Sequence, residues 1–450
     1  MIKRFGAGLV LTVGVGIAIL SGASLPAGIT KTKAKKKRIV VRRPPPISPA
    51  ARDAAARRVA DYLQASSAMG IEQPQAMTFF FQKLAALATG DAQGPLHIMQ
   101  FGDSHTAADE WTAGMRYFFQ QKFGNGGSGY SLAGHPFAGY RRFGTRHGAT
   151  PGWQTEGLRS GEGDGYYGLG GLSIYTRRAG QSVYIEADCT QVSVSYLQIP
   201  GGGELELFDN DQLVKQFSTD GDLAPRTISY RTTPGSHTLK LLTLQNRPVR
   251  LLGWSTDRDA GVTYEALGIN GAQASIFFRW RDDMIASDLK DRNPGLIVLA
   301  YGTNEAGDPN WTGESYQAMF SALLRRLRAD CPDASILVLG PTDRMMRTRA
   351  GLTPVQGIDR IIEAQRLASA ENGCAYWNAK RRMGGSKSIR DWMTAGLGQA
   401  DYVHFTATGY DKLAEVLFGD LMRLYGQYQL VHAAAPLPAQ VSDGQASQSN

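Results

Sequence analysis

Four short stretches of this sequence hold residue types that, brought together, can transfer an acyl group. The first is Gly102-Asp103-Ser104-His105, directly after the apolar run LHIMQF. Ser104 falls where a helix would begin, so its hydroxyl can face solvent while its own N–H points toward a bound anion. Serine is equally a common helix cap. The second stretch is LGINGA, in which Gly271 either presents a backbone N–H to a substrate or simply turns the chain. The third is YGTNEAGD, in which the Asn304 amide can donate to an oxyanion, cap the next helix or bond its own loop. The fourth is ADYVHFTATGY, with Asp401 and His404 three residues apart. A carboxylate there can hold one imidazole nitrogen and leave the other free as a base; the plain alternative is an exposed histidine beside an unrelated acid. Singly, each stretch has a structural reading. Together they supply a nucleophile in Ser104 and a base in His404 with Asp401 to orient it. The Ser104 N–H, Gly271 and Asn304 are the oxyanion donors. His105 reads as a supporting hydrogen bonder and not the base, and Asp103 as a brace for the loop.

Such residues need a frame to meet, and the pattern around them provides one. Strand-like runs alternate with helical ones. LHIMQF precedes a stretch to Phe123, VTYEALGIN precedes AQASIFFRWRDDMIASDL, and GLIVLAYGTNE precedes GESYQAMFSALLRRLRAD, with Leu323, Leu324 and Leu327 on one helical face. SILVLGPTD, VQGIDRIIEAQRLASAEN, CAYWNAK and a last helix in ATGYDKLAEVLFGDLMRLYG continue the series. This alternation predicts a parallel sheet with helices on both faces, and ligands in such sheets sit at the carboxyl ends of the strands. All four stretches fall at or beyond those ends.

Between the first and second stretches, residues 151–261 change texture. About eight short runs, SVYIEAD and HTLKLLTL among them, are separated by Gly, Pro, Asn or Asp, which predicts an all-β sandwich inserted after the first βα unit. DNDQ, between ELELF and LVKQF, marks a hairpin turn. The preceding GNGGSGYSLAGHPFAGYRRFG is too glycine-rich for regular structure, and its Gly124–Gly129 loop lacks the G-K-[ST] ending of a phosphate cradle. Residues 51–94 predict two helices broken near Gly70 to Pro74. Trp111, Trp153 and Trp254 are expected in the core, although an exposed tryptophan can stack on a sugar.

The 450 residues carry a formal net charge of +8, and eight basic residues with no acid fall between Lys31 and Arg43. That run has no interleaved aromatic residue, so it offers no stacking platform and no nucleic-acid partner is expected. Residues 1–30 begin with Lys3 and Arg4 and continue as an apolar stretch, the pattern of a secretory signal or a single N-terminal membrane anchor. The expected location is the periplasm, free or anchored to the inner membrane. The basic run that follows opposes export under the positive-inside rule. Residues 31–50 read as a basic, proline-rich linker and residues 431–450 as a disordered tail. Of the three cysteines, Cys331 and Cys374 are the expected bridge and Cys189 the odd thiol. No spacing suggests a metal site, and no cofactor is expected.

The four stretches resemble the blocks of the SGNH hydrolases, also called GDSL-type esterases. The nucleophile motif matches Gly102-Asp103-Ser104, the second-block glycine Gly271, the GxN motif Gly302-Thr303-Asn304 and the closing DxxH motif Asp401-Tyr402-Val403-His404. The resemblance covers residues 95–150 and 262–430 and departs at His105, where many members have leucine. It implies a flavodoxin-like three-layer α/β fold and a Ser104 acyl-enzyme, formed with His404 as base and Asp401 fixing its tautomer. The GDSH variant with a β-rich insertion is similar to bacterial peptidoglycan O-acetylesterases and related polysaccharide acetyl-modifying enzymes, in which the insertion resembles a carbohydrate-binding jelly roll. The expectation is a serine esterase that removes O-acetyl groups from an envelope polysaccharide, peptidoglycan first. One alternative is an O-acetyltransferase for peptidoglycan or an exopolysaccharide such as cellulose, supplied by a membrane acyltransferase partner. Another is a non-catalytic glycan-binding protein.

Overall fold

Ser48 and Pro49 open the first helix. The Ser48 hydroxyl accepts the Ala51 N–H at 3.3 Å, and the proline occupies a position where no N–H is needed. The structure, a computed structural model, describes residues 47–433 except 69 and 159–162. The expected export segment, nearly all of the linker and nearly all of the tail lie outside the described residues. Among the described residues, no helix is long and apolar enough to cross a membrane.

In chain order come α1 (Pro49–Ala65), α2 (Thr78–Thr89), β1 (Leu96–Gly102), α3 (Ser104–Ala107) and α4 (Glu110–Phe123). Then follow nine strands: β2 (Gly127–Ser131), β3 (Arg146–Ala149), β4 (Gln154–Gly157), β5 (Leu172–Thr176), β6 (Ser182–Gln198), β7 (Glu204–Asp209), β8 (Gln212–Ser218), β9 (Ala224–Thr243) and β10 (Val249–Asp257). The α/β pattern resumes with β11 (Val262–Gly268), α5 (Asp282–Arg292), β12 (Leu296–Ala300), α6 (Gly313–Asp330) and β13 (Ser335–Gly340). It ends with a hairpin of β14 (Met345–Thr348) and β15 (Gly351–Pro354), then α7 (Ile358–Glu371), β16 (Ala375–Asn378), α8 (Ala379–Arg382), α9 (Ile389–Thr394) and α10 (Ala407–Ala433).

Five strands form one parallel sheet in the order β11-β1-β12-β13-β16. The second strand of this series lies outside the first, which is the flavodoxin-like winding, and its crevice opens beyond the ends of β1 and β12. Side chains alternate between the two faces, as period-2 geometry requires. Met99, Phe101, Ile297, Leu299, Ile336 and Val338 pack on one side with α5, α6 and α7. Ile98, Leu296, Val298, Leu337 and Leu339 pack on the other with α1, α2, α4 and α10. Three layers result, as expected.

Strands β2 to β10 join in a separate antiparallel sheet inserted between α4 and β11. Its long strand β6 changes phase half-way: Val183, Ile185, Ala187 and Cys189 are buried, then Val192, Val194 and Tyr196. The pairing with β9 is irregular at the same place, where Cys189 faces Gly235 and Gln191 faces Arg231, so that β9 carries the excess residues of a bulge. Both halves of β6 therefore share one core with Leu205, Leu239 and Leu251, and the sheet folds over itself as a sandwich. Asn210 and Asp211, at φ 48° and 65°, form the two-residue turn between β7 and β8 that DNDQ signals.

Several expectations need correction. Two strands lie in or just after the glycine-rich stretch before residue 151: β2 pairs with β10 and β3 with β6, so the insertion begins at Gly127. The helix expected across AQASIFFRWRDDMIASDL is a 3-10 turn at Ala274–Arg279 and then α5, separated where Trp280 turns extended and inserts into the core. The expected Cys331–Cys374 bridge is absent: all three cysteines are free and buried. Cys331 ends α6 against Ala334 and Leu327 in the core, and the Cys374 thiol donates to the Asn372 carbonyl at 3.4 Å. Trp111 and Trp254 are core residues, and Trp153 is half-buried with its indole N–H on the Ser182 carbonyl at 3.1 Å.

Candidate active site

β1 ends in a glycine because a Cβ on Gly102 would collide with the Thr106 hydroxyl and the Ala300 carbonyl. The turn can thus lie directly on β12, and the next residue caps α3. That cap is Asp103, whose Oδ1 accepts the His105 N–H at 2.9 Å. The capping reading of Ser104 is therefore wrong. Ser104 is the first helical residue, and its N–H is one of those a helix start leaves without an intrahelical acceptor. Its hydroxyl is half-buried and lies 2.8 Å from His404 Nε2.

His404 arrives from the far end of the chain, on the loop before α10. Asp401 accepts the N–H groups of Val403 at 2.9 Å and His404 at 3.0 Å, which folds the loop around its carboxylate. Its second oxygen accepts from His404 Nδ1 at 2.7 Å. Partial burial opposes ionisation of Asp401, but these three donors outweigh it and hold the carboxyl below its ordinary range. An ionised carboxylate only accepts, so Nδ1 carries the proton and Nε2 is left to accept from the Ser104 hydroxyl. An imidazole held this way can take that proton as the oxygen attacks a carbonyl.

His105 takes no part in this chain. It is buried, its Nδ1 shares a 2.8 Å hydrogen bond with the Tyr410 hydroxyl, and its ring stands 5.2 Å from the His404 ring. Burial holds its pKa below the ordinary value, so it stays neutral behind His404.

The two other predicted donors sit on adjoining loops. Gly271 is exposed at φ 76°, beside a 270 Å³ cavity lined by Asn270, Gln273 and Arg279. The Asn304 side chain caps nothing: its amide donates to the Ala272 carbonyl at 2.9 Å, which aims it along the Gly271 loop and leaves its second N–H over. The Ile269 N–H donates to the Gly102 carbonyl at 2.9 Å, which ties the same loop to the Ser104 turn.

Sequence reasoning passed over three further residues. Glu305 is fully buried and accepts the N–H groups of Ala274 at 2.8 Å and Gly302 at 3.0 Å, so it clamps the Gly271 loop to the Asn304 loop. Burial raises its pKa to about 7. Tyr410 anchors His105, and the Arg344 guanidinium donates to the Thr303 carbonyl beside Asn304. The one available signal was the acid directly after Asn304 in YGTNEAGD. Among the described residues, no group of three or more His, Cys, Asp or Glu side chains is placed to hold a metal ion.

Comparison with known proteins agrees with this architecture. Residues 235–412 match the GDSL-like Lipase/Acylhydrolase family, a span that includes Gly271, Asn304, Asp401 and His404. The fold also matches the solved structure of a peptidoglycan O-acetylesterase at 28% identity and TM-score 0.66, over 79% of this chain and 97% of that one. Residues 235–412 thus carry the domain of a GDSL-like, or SGNH, hydrolase. Two family two carbohydrate esterases, from Clostridium thermocellum and Cellvibrio japonicus, are similar at 12% identity each and TM-score 0.27. They cover 58% and 63% of this hydrolase, and 95% and 99% of their own chains. No curated protein matches the sequence. This hydrolase is an esterase, with the parallel sheet of its superfamily and an inserted β domain.

Proposed function

We propose that this esterase removes O-acetyl groups from a bacterial envelope polysaccharide, peptidoglycan first, with Ser104, His404 and Asp401 as its triad. The unbroken hydrogen-bond chain from Ser104 Oγ through His404 to Asp401 carries the reading. His404 Nε2 takes the Ser104 proton as Oγ attacks the acetyl carbonyl. The oxyanion is met by the N–H groups of Ser104 and Gly271 and by the Asn304 amide. The imidazolium then protonates the departing sugar oxygen, which leaves as a hydroxyl, and the acetyl group stays on Ser104. Water, deprotonated by His404, releases acetate in the second half of the cycle. The similarity to a peptidoglycan O-acetylesterase supports the choice of substrate. The charged and then apolar start of the sequence supports export to the periplasm, and the inserted sandwich is assigned to holding the glycan.

The test is acetate release from O-acetylated peptidoglycan by wild type and Ser104→Ala. The variant is expected to lose at least about 10³-fold in kcat. A Ser104→Ala protein as active as wild type overturns the triad. Acetylated sugar oligomers in place of acetate would make the protein a transferase.

A further inference from the structure

β13 ends at Gly340 on the same side of the sheet as Ser104 and Asn304, and the chain leaving it forms the β14–β15 hairpin. From Arg344 to Gly357 this segment holds Arg344, Arg347 and Arg349 and no acidic residue. It is fastened to the triad loop. The Met345 N–H donates to the Tyr402 carbonyl at 3.0 Å, and the Arg347 guanidinium lies 5.7 Å from the centre of the Tyr402 ring. Tyr402 itself follows Asp401 and is held at φ 59°. At its root the hairpin touches the other side of the site, through Arg344 on the Thr303 carbonyl.

Several arginines elsewhere in the molecule are neutralised by carboxylates: Arg58 by Asp391, Arg250 by Asp164, Arg292 by Asp257. Among the described residues, no carboxylate lies within ion-pair distance of Arg344, Arg347 or Arg349, and the last two are exposed. Three like charges on one short segment repel each other, and they raise the local concentration of any anion. Arginine in particular offers a planar fork that fits a carboxylate. We propose that this hairpin binds carboxylate groups of the glycan beside the ester, so that the substrate of this site is an acidic, carboxyl-bearing polysaccharide chain. The proposal rests on the ester-hydrolase reading above and narrows its substrate class.

The experiment compares wild type with the double variant Arg347→Gln/Arg349→Gln. Acetate release is followed from acetylated polygalacturonate and from acetylated xylan, at low and high salt. Wild type is expected to favour the acidic polymer by about tenfold in kcat/KM, the size of two partly exposed charge contacts. That preference should shrink with salt and vanish in the double variant. An acidic-to-neutral ratio that is the same in both proteins overturns the proposal. Binding is read separately, by retardation of Ser104→Ala, with and without the arginine substitutions, in gels holding either deacetylated polymer. Arginine-dependent retention without any acetate release would sink the esterase reading and leave the carboxylate site standing. Acetate release with retention indifferent to the arginines would do the reverse.

Discussion

Glu305 is the residue whose chemistry is most at odds with its surroundings. A carboxyl group that is fully buried ionises only at about 7, against an ordinary value of 4.5. The folded protein therefore holds a proton that the unfolded chain gives up between those values. The sign follows: this group's stabilisation is complete below 4.5 and is lost as pH rises through about 7. Thermal unfolding of wild type and Glu305→Gln across about pH 5 to 8 should show wild type losing ground to the variant as pH rises. Glutamine also keeps only one acceptor oxygen for the two N–H groups of Ala274 and Gly302. A fall in kcat of about tenfold with a smaller change in KM is expected, since the clamp positions donors and does not touch substrate. Asn304→Ala should cost more, about 10²–10³-fold in kcat, measured by acetate release. Ser104, Asp401 and His404 were legible because their types and order carry chemistry before any fold is known. Glu305 was not: beside Asn304 it reads as a solvated acid, and only the Ala274 loop shows what it is for.

At the scale of elements, Asp109 joins helix to insertion. It precedes α4 at φ 54°, and its carboxylate accepts from Thr112, Arg116 and Arg142 and from the Phe143 N–H, the last at 2.6 Å. Burial pushes its pKa up, and the nearby Arg116 guanidinium works against that rise. Asp109→Asn leaves two buried guanidinium groups without their counter-charge. A loss of about 3 kcal/mol is expected, read from the midpoint of urea unfolding. The parallel sheet was legible because strands such as β12 and β13 are apolar runs and helices such as α6 and α7 have an apolar stripe. β2 and β3 were missed because glycine-rich segments show no alternation, and their partners in β10 and β6 lie far along the chain. The break at Trp280 escaped for a different reason. A helical pattern runs straight through it, and only burial of the indole forces the backbone out.

For the whole molecule, the thiols give a direct check. Burial raises Cys189 to about 12 and Cys331 and Cys374 to about 11. A thiol reagent should find no reactive sulfur in the native protein and three after denaturation. The mistaken bridge came from counting cysteines and assigning a compartment, neither of which says how far apart two sulfurs stand. The strand order has a consequence for how the protein is made. β1 is an interior strand, yet both its neighbours, β11 and β12, are synthesised only after the entire insertion. As the chain leaves the ribosome, an apolar strand with two open edges must wait while the sandwich forms beside it, and α1 waits longer still for Asp391. The insertion can close early on contacts of its own, whereas the hydrolase sheet is the last part to assemble. A stalled or clipped chain would therefore carry a folded sandwich and a bare, sticky β1, with its serine in place and no histidine to meet it.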